Sequence, residues 1–153
     1  MNFTVHGLSP EPFLPLYGLG DAELAQRRAR RVIADGSGFP ERIEMRDAEP
    51  GETLLLVNFE HQPADTPYRS SHAVYIREGA TERWSGAHLP EVMCKRLLSL
   101  RGFSIDESIV AADVVEGREA EPLIERLFGD PAVAYIHAHY ARPGCFAARI
   151  DRA

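Results

Sequence analysis

Apolar positions recur along the chain in short runs, and the period of each run predicts an element. Residues 3–8 alternate well enough for a first strand, after which Pro10, Pro12 and Pro15 hold the chain out of regular structure. Asp21 suits the N-cap of a short helix through Ala22, Leu24 and Ala25. Val32 and Ile33 then predict a strand stopped by Gly36 and Gly38, although Ala25, Ala29, Val32 and Ile33 would also fit a helix continued to Ala34. Ile43 and Met45 alternate with Arg42, Glu44 and Arg46, the pattern of a half-solvated antiparallel strand. Pro50-Gly51 marks a type II turn, where Gly supplies the positive φ. The run TLLLVNFE, residues 53–60, is almost uninterrupted and predicts a strand covered on both faces at the centre of the sheet. HAVYIRE, residues 72–78, alternates again as a strand.

In the second half, Leu89, Met93, Leu97 and Leu100 recur at helical spacing behind Pro90 and predict one helix. Leu123, Ile124, Leu127 and Phe128 predict another, with Pro122 near its start and Gly129 at its end. ESIVAADVV between them reads as a strand, and PAVAYIHAHYA with CFAARI, joined through Arg142-Pro143-Gly144, reads as a terminal hairpin over 132–150. About three helices with six to eight strands in adjacent hairpins predict an α+β fold, a single domain over 1–153 with a mainly antiparallel sheet. The run 53–59 is expected at its centre, flanked by the terminal hairpin.

Charge narrows the partners. The 153 residues carry a net charge of −6, which argues against nucleic acid and against an anionic membrane surface. No apolar run approaches the roughly 18–20 residues that span a bilayer. The start, MNFTVHGLSPEPF, has neither a basic nor an apolar export region, and Cys94 and Cys145 lie far apart as expected of free thiols. The cytoplasm is the expected location. Arg27, Arg28, Arg30 and Arg31 form the only basic run; without interleaved aromatic residues it reads as a solvated face. Gly18-Leu19-Gly20 follows no strand and reads as a loop, and no phosphate loop, HExxH, CxxC or GxSxG motif occurs.

Two polar groupings carry candidate chemistry. On a strand, Tyr135, His137 and His139 share one face, and two imidazoles so spaced can bind one metal ion if a third ligand joins them. His61, His72, His88, Asp65 and Cys145 are available, Cys145 across a tight hairpin. No correctly spaced acid accompanies the pair, so the expectation is no metal and no cofactor, with His137, His139 and Cys145 as the weaker alternative. The other grouping is the loop EHQPADTPYRSSH, which leaves the most buried strand, where sites are commonly built. There Glu60 or Asp65 with His61 could act as a base and its orienter, and Arg69 could clamp a carboxylate or phosphate. A nucleophilic Cys145 served by a His base is a further alternative to a small buried thiol.

The stretch FPERIEMRDAEPGETLLLVNFEHQPADTPYRSSHAVYIREG, followed by YIHAHYARPGCFAARIDRA, resembles a bacterial family known as domain of unknown function 1203. The resemblance covers nearly the whole chain and is most specific at GETLLL, EHQPADTPYRSS and RPGCFAARI. It implies no activity, so no residue inherits a role from it. The family pattern commonly has a Cys after the Pro matching Pro40, where this chain has Glu41, and Gly-Pro where it has His72-Ala73. These departures weaken a site built on a thiol beside Arg42 or on His72.

The functional expectation is a small-molecule-binding domain, enzymatic or not, with a pocket lined by His61, Asp65, Tyr68, Arg69, His137 and His139 that favours an anionic ligand. The competing expectations are a homodimer that covers its sheet edges by self-pairing, and a metal-dependent enzyme built on His137 and His139.

Overall fold

The computed structural model describes residues 2–36 and 38–153. Its elements follow in the order β1 (Phe3–His6), α1 (Asp21–Gln26), β2 (Ala29–Ile33), β3 (Thr53–Gln62), β4 (Ser70–Arg77) and β5 (Ser85–Gly86). Then come α2 (Glu91–Cys94), β6 (Leu97–Phe103), β7 (Ile109–Glu116), α3 (Ala120–Phe128), β8 (Tyr135–Tyr140) and β9 (Phe146–Arg152). The strands pair antiparallel in two sheets, a large one ordered β5-β1-β9-β8-β6-β7 and a small one ordered β2-β3-β4. The fold is α+β with antiparallel sheets, as the patterning predicts.

Why two sheets form is visible in β3. Leu55 and Val57 on one face pack with Val74, Ile76 and Phe146, while Leu54 on the other packs with Ala34 and Ala48. The strand is therefore covered on both faces, but it centres the small sheet. The terminal hairpin β8–β9 belongs to the middle of the large one, which corrects the single sheet expected. One face of the large sheet is sealed by helices: Leu123, Ile124 and Phe128 of α3 and Met93 of α2 pack with Leu98, Leu100 and Ile136. Burying each of these side chains contributes roughly 1.5–3 kcal/mol. The small sheet meets the other face around Phe146.

Three local expectations are corrected. The helix read over Leu89–Leu100 stops at Cys94, and β6 begins at Leu97. Leu97 and Leu100 fit helical spacing whereas Leu98 and Leu100 fit period 2, and pairing with both β7 and β8 decides for the strand. The segment around Ile43 and Met45 is a bend, not a strand. There the buried Glu41 carboxylate accepts the backbone N–H groups of Ile43 (3.1 Å), Glu44, Met45 (3.0 Å) and Arg77 (3.2 Å), so side-chain bonds replace a ladder. Met45 takes a positive φ of 56°. At α1, Gly20 rather than Asp21 holds the N-cap, and no side chain caps it. The strand reading of Val32 and Ile33 holds in β2, and Gly51 adopts φ 90° in its turn. No helix among the described residues is long and apolar enough to cross a membrane.

Candidate functional site

Two polar clusters occupy the junction of the sheets. The first gathers His61 of β3 with His137 and His139 of β8. The His61 ring stacks on Phe146 at 5.1 Å between centroids and meets His139 edge-on at 5.0 Å and His137 at 6.3 Å. Phe103 and Tyr135 close the other side of His137, at 4.9 and 5.2 Å. Strand alternation puts His137 and His139 on one face, and the docking of the two sheets brings His61 to them, so three of the expected site residues come together.

Their environment makes them neutral. Burial first, then the neighbouring Arg101 and His72, lower His61 to about 4. His137 and His139 fall to about 3, again chiefly by burial. His139 Nδ1 faces the Gly144 carbonyl at 3.0 Å and its Nε2 faces Arg101 Nη1 at 3.4 Å, so the neutral ring carries its proton on Nδ1. Ser70 Oγ lies 3.0 Å from His61 Nε2. Among the described residues, the buried Nδ1 of His137 has no hydrogen-bond partner. Neutral imidazoles offer an anion no charge, and among the described residues no three His, Cys, Asp or Glu are placed to hold a metal ion.

The remaining expected residues stay apart from this cluster. A bulge after Ala138 sets Phe146, not Cys145, opposite His139; Cys145 pairs with Tyr140 and packs into the helix-side core. Asp65, Tyr68 and Arg69 are exposed in the loop beyond β3. Arg69 pairs with Glu60 at 3.2 Å, and the Tyr68 ring lies edge-on to Phe103 at 6.4 Å. His61 thus takes Ser70 as its side-chain hydrogen-bond partner rather than Glu60 or Asp65.

The second cluster lines a cavity of about 530 Å³. The 34–52 loop contributes Pro40 and Arg42, β4 contributes His72 and Tyr75, and the α2–β6 junction contributes Lys95 and Arg96. Arg142 and Cys145 come from the β8–β9 connection. Arg42 is only 1% exposed. Its Nε donates to the Phe146 carbonyl at 2.8 Å, its Nη1 to the Pro40 carbonyl, and its Nη2 to Cys145 Sγ at 3.0 Å. A thiol thus does stand beside Arg42, supplied from the terminal hairpin instead of position 41. Among the described residues no carboxylate pairs with Arg42. Arg96, by contrast, is held by Asp47 at 2.6 Å, and Lys95 reaches the same carboxylate at 3.4 Å.

Tyr140 forms the floor between these cations. The Arg42 and Arg96 guanidinium carbons lie 4.8 and 5.3 Å from its ring centroid. Its buried hydroxyl has no hydrogen-bond partner among the described residues, and burial pushes its pKa up to about 12, so it is a proton donor at neutral pH. Burial likewise raises the Glu41 carboxyl, which pins the loop that delivers Arg42. Such a group of donors, with one buried cation lacking a carboxylate, can hold an anion.

Over residues 38–152 the chain matches a family described as a protein of unknown function, DUF1203. The chain belongs to the DUF1203 family. No curated protein and no solved structure gives a match. The matched span contains every residue lining the cavity, from Gly38 to Cys145, and all three clustered histidines, while β1, α1 and β2 precede it. Sequence reasoning missed Arg42, Arg96 and Tyr140. Arg42 alternates with apolar neighbours as a solvated residue would, and Arg142 was read only as part of the hairpin turn.

Proposed function

We propose that the protein binds a small anionic molecule in the cavity between its sheets. The observation that carries this reading is Arg42: a guanidinium keeps its charge when buried, and this one has carbonyl oxygens and a sulfur for partners but, among the described residues, no carboxylate. Lys95, Arg96 and Arg142 add positive charge around it, against Glu116 and the Asp47 carboxylate. The ligand pocket is therefore proposed here, not at the loop of Asp65, Tyr68 and Arg69. The free thiols of Cys94 and Cys145 support a reducing location such as the cytoplasm.

A thermal-shift series with phosphate, citrate and aliphatic carboxylates, each beside a neutral analogue, tests the reading. Binding raises Tm with concentration. The expected result is stabilisation by anions alone, weakened in Arg142→Glu, where the reversed charge sits on an exposed side chain. No anion-dependent shift, or equal shifts for the neutral analogues, would remove the proposal.

A homodimer is the second reading. It rests on β7, an outer strand of the large sheet that exposes Val110 and Val114, the latter 55%. Light scattering on the protein and on Val114→Lys distinguishes a dimer from a monomer.

A further inference from the structure

The cavity has two unlike ends. At its floor stand Arg42, Tyr140 and Cys145, all buried. The walls above are largely apolar: Pro40, Leu56, Ala73, Tyr75, Leu97 and Pro143 line them. Lys95, Arg142 and Glu116 are exposed and sit toward solvent. A fully hydrated polyanion would strip water from those apolar walls without replacing it. A compact head on an apolar body would instead match floor and wall together.

The floor also has donors to spare. The guanidinium carries more N–H groups than its three acceptors use, and the Tyr140 hydroxyl, on a side chain 2% exposed, donates to nothing among the described residues. A buried hydroxyl without an acceptor is costly, and a ligand oxygen would relieve that cost.

Resting on the anion-binding reading above, we propose that the ligand is an amphiphilic carboxylate whose head group sits on Arg42 and the Tyr140 hydroxyl while its apolar body lies along Leu56, Tyr75 and Leu97. The carboxylate's paired oxygens suit a guanidinium edge together with one hydroxyl donor. Cys145 then lies beneath the bound head and Cys94, which does not line the cavity, lies away from it.

Calorimetric titration with acetate, butyrate, hexanoate and octanoate, beside hexanamide and inorganic phosphate, reads both ends at once. Affinity should rise roughly three- to fourfold per added methylene, and hexanamide should fail to bind. Tyr140→Phe should weaken hexanoate by about tenfold, as for a lost hydrogen bond to a charged group, with the chain-length trend intact. In the unaltered protein, octanoate should protect Cys145 but not Cys94 from N-ethylmaleimide, a readout that needs no variant to fold. Acetate or phosphate binding as tightly as octanoate would overturn the amphiphile and leave the anion reading standing. Hexanamide binding as tightly as hexanoate would overturn both. Unprotected Cys145 at saturating octanoate, or an unchanged affinity in Tyr140→Phe, would place the head elsewhere and overturn this assignment.

Discussion

The histidine cluster and the cationic cavity lie at the same sheet junction, joined through Phe146, yet they answer burial in opposite ways. An imidazole can lose its proton, and His61, His137 and His139 do so among Phe103, Tyr135 and Phe146. A guanidinium cannot, so Arg42 keeps its charge and leans on two carbonyls and a sulfur. The difference teaches where to look for a ligand. A cluster of residue types common in active sites can be a closed, neutral packing unit, whereas a buried cation without a carboxylate leaves room for a countercharge.

Phe146 touches both clusters: its ring stacks on His61, and its backbone carbonyl, which Phe146→Ala keeps, accepts from Arg42. Phe146→Ala should cost about 3–5 kcal/mol in urea denaturation. A loss below about 1 kcal/mol would mean that the junction is not packed as described.

Acid should separate the two clusters. Folded imidazoles at about 3 to 4, against 6.5 unfolded, bind protons only in the unfolded chain between those values. Stability is therefore complete above pH 6.5 and falls toward pH 4, by up to about 1.4 kcal/mol per pH unit for each histidine. Glu41, raised by burial, has the opposite sign and reduces the slope. Denaturation midpoints from pH 7 to 4.5, compared with the double change His137→Gln, His139→Gln, check this; an equal slope in the variant would contradict it.

Smaller effects sharpen the contrast. Arg42→Met keeps the stem but leaves the Pro40 and Phe146 carbonyls without their donor, and should cost about 2–3 kcal/mol while abolishing anion-dependent stabilisation. Ser70→Ala removes only the partner of His61 Nε2, and should cost about 1 kcal/mol or less with anion binding unchanged in the same thermal-shift assay.

Much of this was legible from periodicity alone. The stripe of Leu123, Ile124, Leu127 and Phe128 and the alternation about Val74 and Ile76 each admit one reading, and both elements form. Leu97 and Leu100 were read as helix from their spacing, and pairing with β7 and β8 makes that segment a strand instead. The shared strand face of His137 and His139 was readable from alternation; the arrival of His61 from another sheet was not, because nothing local encodes how sheets dock. Arg42 and Tyr140 were hidden for the same reason. Arg42 looks solvated in its own segment until Glu41 turns the chain inward, and Tyr140 becomes a cavity floor only once two loops close over it.

The central claim, that the anion sits in the cavity and not among the histidines, is tested most directly by NMR titration with hexanoate. The account predicts saturable shifts of the Arg42 Nε–H and of the Tyr140 and Cys145 amides, with the imidazole signals of His61, His137 and His139 unmoved. Saturable movement of those imidazole signals while Arg42 stays fixed would contradict it.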